Sequence, residues 1–302
     1  VFMQIPNMVH IVIQKILQAT GNMIAPMWFQ IAGVVFNFVF DPLLIFGIGP
    51  FPKMGVVGAA VATVLGYVVS TIIALIQLFL TKQKVKPVFK NCLEPQMIKL
   101  IFSYGLPSFV MNALGAFTVN FANMFLVRYS DTAVAFFGAY FKVQQLIFMT
   151  VNGLIQGCLP IMRFNYRAKE YGRLKQANKS GTIIATVMMI VGMLLVLIFP
   201  KEILFLFSAS EEMCAFGVPA MRIMSLGFVF SGFSAMIATY EQATDSIMPG
   251  VVVQLLRQGV LLVPVIWLLN SAVQMTGIWL AFPITEFVTF LVAVVFAKIK
   301  NH

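Results

Sequence analysis

Apolar residues run along this chain in stretches of about 20, separated by short segments rich in Gly, Pro, Asn or Lys. A run of that length matches a helix crossing the hydrocarbon core of a bilayer. The apolarity is continuous rather than alternating, which argues against the strands of a membrane barrel. Residues 1 to 17 read as the end of one spanning helix, with Lys15 near its cytoplasmic end, and Gln18-Ala19-Thr20-Gly21-Asn22 reads as a turn. Full spans over Met23–Phe46 and Met54–Leu80 follow, joined by the short loop Gly47–Lys53. The polar stretch Thr81–Gln96, with Lys82, Lys84, Lys86 and Lys90, marks a boundary between two bundles. Beyond it the pattern predicts spans over Met97–Val127, Thr132–Ile161, Thr182–Pro200, Phe216–Tyr240, Met248–Asn270 and Thr276–Ala297. The predicted organisation is 1–82 as the end of a first bundle, 83–96 as a cytoplasmic linker and 97–302 as a complete six-helix bundle. That amounts to about seven complete spans behind a partial one.

Composition narrows the class. The chain is 60% hydrophobic and 10% charged, with a mean hydropathy of +0.95, whereas soluble domains carry about 25% charged residues. It is expected to be an all-α integral membrane protein. The net charge of +10 does not point to nucleic acid, because Lys and Arg gather in cytoplasmic loops of membrane proteins. If the spans alternate, Lys82–Lys90, the Arg163–Lys179 cluster and Lys298 with Lys300 all fall on one side. That side, and the C-terminus with it, is expected to be cytoplasmic. Cys92, Cys158 and Cys214 show no metal or redox spacing, and His10 and His302 are too few to ligate haem. No metal or cofactor is expected. No His cluster, catalytic carboxylate pair or nucleophile constellation suggests an enzyme. The chain opens on Val1 in mid-helix pattern, so a native start upstream is expected.

Candidate chemistry centres on Asn37-Phe38-Val39-Phe40-Asp41-Pro42 near the end of the first full span. Asn37 and Asp41, four residues apart, share one helix face. Pro42 removes a backbone donor and frees a carbonyl one turn back. An ionisable side chain at membrane depth faces a cavity, an ion path or a partner. The alternative is that Asp41 merely ends the helix at the membrane surface, since a loop-like segment follows. Other intramembrane charges are Lys142, which either snorkels outward or faces a central cavity, and Glu241, near the end of its span. Glu286 lies mid-span beside Pro283 and must face protein or cavity, making it a second candidate. Arg222 and Arg257 are expected to pair with Glu241 or Glu286 in a structural role. The many Phe and Met residues read mostly as packing or lipid-facing, with a subset suited to a promiscuous pocket.

The chain also repeats. Gln18-Ala19-Thr20 recurs as Gln242-Ala243-Thr244, each copy followed by a proline (Pro26, Pro249), a long span, a short loop and a small-residue helix start. Those starts are Gly58-Ala59-Ala60-Val61-Ala62 and Gly277-Ile278-Trp279-Leu280-Ala281. Both copies enter from one side, so the repeat is parallel, about an axis along the membrane normal. Two equal halves would leave about three helices missing upstream.

The segments Asn37–Gly47, Gly55–Thr63, Gly105-Leu106-Pro107, Gly153–Ile161 and Asn165-Tyr166-Arg167-Ala168-Lys169, in this order, resemble the MATE (multidrug and toxic compound extrusion) transporters, in particular the DinF-like branch. The resemblance covers essentially the whole chain. It implies two six-helix lobes related by a pseudo-two-fold axis, and a monomer in the cell membrane. The implied function is an antiporter exporting organic cations in exchange for protons or sodium by alternating access. By the same resemblance Asp41 is the coupling carboxylate, Asn37 its hydrogen-bonding neighbour and Thr63 a third polar contributor. The chain lacks the second acid that the family pairs with this Asp on the first helix. It also has no carboxylate from Met111 to Phe121, where the sodium-coupled branch places one, and this favours protons. Proton and cation then compete for one carboxylate. A flippase or exporter of a lipid-linked or metabolite substrate is the other reading, although such proteins line their cavity with several cations and this chain offers mainly Lys142.

Overall fold

The computed structural model describes residues 4–22, 24–80, 94–244 and 247–300. Lys82, Lys84, Lys86, Lys90, Cys92 and His302 lie outside the described residues, as do the side chains of Pro107, Met111, Pro249, Lys298 and Lys300. The described residues fold as helices, and six of these are long and apolar enough to cross a membrane. The chain divides into two compact units, Val1–Leu93 and Glu94–His302.

The first unit holds α1 (Gln4–Ala19), α2 (Ile24–Phe46) and α3 (Val56–Leu80). The Gly-Asn turn forms where the sequence predicts it: Gly21 takes φ +86, and Asn22 Oδ1 accepts from the Ala25 amide at 3.1 Å, capping α2. At the other end Gly47, φ +71, closes α2 with its amide on the Leu43 carbonyl at 3.0 Å. The chain then folds back, Met54 N–H reaching Leu44 O at 3.0 Å, to start α3. Along α3, Gly58, Ala62, Gly66, Ser70 and Ala74 recur every fourth residue and are all buried. Such a row lets another backbone approach closely. A Cβ on Gly66 would lie 2.8 Å from the Gly33 carbonyl of α2. Ser70 Oγ donates to Phe29 O at 3.1 Å across the same crossing.

The second unit contains α4 (Pro95–Leu126), α5 (Asp131–Arg167), α6 (Tyr171–Ile198), α7 (Pro200–Phe205), α8 (Glu211–Ser225), α9 (Phe228–Ala243), α10 (Ile247–Leu255), a π-helical turn (Leu256–Val260), α11 (Leu262–Val273) and α12 (Met275–Lys300). Ser130 and Ser210 cap α5 and α8, accepting from Ala133 N and Met213 N at 3.0 and 3.2 Å, with Asp131 and Glu211 completing the first turns. The unit's centre is aromatic. Phe136 and Phe137 of α5 pack on Trp279 and Phe282 of α12, with ring centroids 5.2 and 5.8 Å apart for Phe136–Trp279 and Phe137–Phe282.

Four predicted spans differ from the structure, among them Thr182–Pro200, whose helix α6 already starts at Tyr171. Phe216–Tyr240 is interrupted between α8 and α9, where a Cβ on Gly227 would sit 3.2 Å from Pro283 Cα of α12. Met248–Asn270 is three pieces, because the turn closes with an i→i−5 bond from Leu261 N to Leu256 O at 3.1 Å and Pro264 sits in the first turn of α11, where its missing N–H is tolerated. Thr132–Ile161 is longer than predicted: α5 has 37 residues, about 55 Å, and its exposed basic end carries Arg163 and Arg167 beyond any bilayer core of ~30 Å.

Candidate functional sites in the two units

In the first unit, Asp41 lies inside α2, which continues for five residues past it to Phe46, about 8 Å of helix. The carboxylate therefore does not end its helix. Asn37, one turn earlier, donates through Nδ2 to Asp41 Oδ1 and to Thr63 Oγ1 of α3, both at 3.3 Å. The Thr63 hydroxyl donates to Ala59 O at 2.9 Å, so its lone pairs face Asn37. Both Asn37 bonds are at the long end for N–H···O. Thr63 meets Asn37 because the small-residue row draws α3 against α2: a Cβ on Gly66, one turn along, would lie 3.3 Å from Asn37 Cβ. The three predicted residues thus form one cluster, half-buried and neutral apart from the carboxylate. Among the described residues Asp41 has no basic partner.

The second unit has an open-sided cavity of ≈ 360 Å³ lined by α4, α5, α10, the π turn, α11 and α12. Arg257, on the π turn, and Glu286, on α12, both line it. Arg257 Nε donates to Glu286 Oε1 at 2.8 Å, with the two side chains 16% and 13% exposed. The guanidinium carbon also stands 4.7 Å from the Phe148 ring centroid, a cation–π contact. Glu286 Oε2 is buried and has no hydrogen-bond partner. Of the pairings expected from sequence, this is the one that forms. Arg222 Nε instead donates to the Leu197 carbonyl at 3.2 Å.

Lys142 is exposed on α5 and does not line this cavity. Glu241, in the last turn of α9, is 2% exposed and lies away from it as well. Unforeseen were the cavity's amides, Gln144, Gln145 and Asn152 on α5 and Gln254 on α10. Their signal was present in sequence: Phe141, Gln145, Phe148 and Asn152 follow a three-to-four-residue spacing on one face of an otherwise apolar span. No group of three or more His, Cys, Asp or Glu able to hold a metal occurs among the described residues.

Comparison with known proteins agrees at three levels. The family described as MatE matches residues 107–268, more than half of the chain. The curated multidrug export protein MepA of Staphylococcus aureus is 26% identical over 277 residues, covering 91% of this chain and 60% of its own length. MepA of Staphylococcus saprophyticus is also 26% identical, covering 93% and 61%. The chain therefore spans about three fifths of the curated relatives it matches. Among solved structures, a multidrug resistance MATE family transporter of the MOP superfamily in an outward-facing conformation superposes with a TM-score of 0.85 at 21% identity, covering 96% of this chain and 65% of that one. A MOP superfamily transporter from Pyrococcus furiosus, described as having a binding pocket of reverse polarity, gives 0.86 at 21% identity, covering 96% and 65%. These likenesses establish the fold.

Proposed function

The chain belongs to the MatE family, and from that membership we propose that it works in a secondary antiporter of the cell membrane that exports organic cations, drugs among them, in exchange for protons. The observation that carries this reading is Asp41: a carboxylate inside an apolar helix, held by a neutral amide and without a basic partner among the described residues. Such a group is stabilised by a proton or by a cationic cargo, and the two exclude each other on one carboxylate. Asn37 and Thr63 steady it in either state. The long Asn37 bonds leave it free to turn toward whichever cation arrives.

Protons are favoured over sodium because the chain has no carboxylate from Met111 to Phe121, where the sodium-coupled branch of the family it resembles places one. The exposed Arg163, Arg167, Lys169, Arg173, Lys175 and Lys179, at the α5–α6 connection, support a cytoplasmic location for that end and, with alternating spans, for the C-terminus. A monomer suffices for alternating access.

The test is drug accumulation in cells producing the full-length protein, wild type against Asp41→Asn, together with efflux from sodium-free vesicles under an imposed pH gradient. Asp41→Asn is expected to lower efflux at least about tenfold, the scale of losing one charge-dependent step. Equal efflux by both proteins removes Asp41 from the mechanism, and efflux that requires sodium removes the proton.

A further inference from the structure

The cavity of the second unit is a site of a different kind. Its charged lining is Arg257 and Glu286, so its formal charges sum to zero. A lone organic cation attracted to Glu286 meets the guanidinium bonded 2.8 Å away, and a lone anion meets the reverse. Yet the pair is incomplete. Arg257 spends its Nε–H on Glu286, whereas a forked contact would also engage a terminal nitrogen and the second carboxylate oxygen. Glu286 Oε2 is left buried without a donor, a position that costs stability until something donates to it.

The surroundings suit a small aromatic guest. Phe141, Phe148 and Phe282 form apolar walls, and the amides of Gln144 and Asn152 supply donors and acceptors beside them. The volume falls in the range of small-molecule pockets. Arg257 is carried on a π-helical turn, a distortion frequent at functional sites, inside a discontinuous helix of the type that builds sites in transporters.

We propose that this cavity binds small aromatic zwitterions, the Arg257 terminal nitrogens taking the ligand carboxylate and Glu286 Oε2 taking its ammonium. Each ligand charge then completes a bond the resident pair leaves unmade. The torsion that turns the Glu286 carboxylate toward the guest is a soft one. The guanidinium carbon, 4.7 Å from the Phe148 ring centroid, is steadied beside the cavity by that cation–π contact. The sequence makes Glu286 a second functional candidate and expects a structural role for its ion pair with an arginine. Its position on a cavity wall is what adds recognition.

Three indoles that share a skeleton and differ in charge supply the test: tryptophan, a zwitterion; tryptamine, a cation; and indole-3-propionate, an anion. Binding is measured by calorimetry on the full-length protein in lipid nanodiscs. Wild type is expected to hold tryptophan about tenfold more tightly than either partner compound. Arg257→Gln is expected to shift the preference to tryptamine, and Glu286→Gln to indole-3-propionate. A gain of that sort cannot come from misfolding, and the wild-type series needs no variant at all. Wild type binding all three equally, or binding tryptamine best, overturns the proposal. So does an unchanged order of preference in either variant. The readout is equilibrium binding, so failure of the Asp41 efflux test leaves it standing, and its failure leaves Asp41 untouched.

Discussion

The two units carry matching helix hairpins and put different chemistry into them. In the first, α3 starts by pressing Gly58 against the Leu44 carbonyl of α2; in the second, α12 starts by pressing Gly277 against the Leu269 carbonyl of α11. The repeated triplets Gln18-Ala19-Thr20 and Gln242-Ala243-Thr244 are 224 residues apart, and the two glycines are 219 apart. With the one residue inserted at the π turn, which sets Leu44 and Leu269 225 apart, Asn37, Asp41 and Thr63 correspond to Leu262, Ile266 and Phe282, all apolar. The second copy's charges, Arg257 and Glu286, lie five and four residues further from the hairpin loop, at positions that correspond to Gly33 and Tyr67. In the first copy that deeper level is closed by the crossing of Gly33 and Gly66. One scaffold therefore supports a bare carboxylate near its loop in one unit and a compensated one at greater depth in the other. A bare carboxylate exchanges cations, whereas a compensated pair holds structure and recognises dipolar guests.

The strongest way to break this contrast is to remove one half of the pair. Arg257→Leu or Glu286→Leu should each cost about 3–5 kcal/mol, because either leaves a buried charge alone. The double replacement Arg257→Met/Glu286→Leu should recover most of that loss. Thermal unfolding in detergent reads all three. Additive losses would mean that the two side chains do not depend on each other.

Next in size is the crossing that sets up the first unit. Gly66→Val puts its Cβ 2.8 Å from the Gly33 carbonyl, so α2 and α3 must separate, at about 1–3 kcal/mol. Thr63 then loses Asn37, and Asp41-dependent efflux should fall with the melting temperature. Efflux that survives a clear drop in stability would detach the cluster from the helix crossing.

How much of this was legible in the sequence follows from the same elements. The Asn37–Asp41 pair was within reach because its spacing is local on α2, whereas Thr63 joined it only through the family resemblance. The row continuing to Gly66, Ser70 and Ala74 went unread, although it fixes which α3 residue meets Asn37. The π turn was hidden because Leu255 to Val265 looks like uninterrupted apolar helix apart from Arg257, Gln258, Gly259 and Pro264. One inserted residue leaves periodicity nearly intact. The pairing of Arg257 with Glu286, 29 residues apart, depends on that turn. Sequence offered two acids for two arginines, and only the turn's geometry chooses.

Asp41→Asn separates the two carboxylates from the other side. Among the described residues its hydrogen-bond partner is Asn37, whose 3.3 Å bond an amide oxygen can still accept. Stability should therefore change by less than about 1 kcal/mol, while efflux is lost. A melting shift as large as that of Glu286→Leu would show that Asp41 has a structural charge partner and would erase the distinction between the units.

The smallest effect is expected at Thr63, and it sharpens the comparison most finely. Thr63→Val keeps the shape but removes the oxygen that shares Asn37 Nδ2 with Asp41. The Ala59 carbonyl also loses a donor, though it remains inside α3, where the backbone ladder serves it. A stability loss of about 0.5–1 kcal/mol follows. Efflux should fall partially, because Asn37 still reaches Asp41, and Thr63→Ser should restore it. If Thr63→Val instead abolishes efflux as completely as Asp41→Asn, the hydroxyl touches the transported cation itself, and the first unit's site is a two-oxygen cation site rather than a single exchangeable carboxylate.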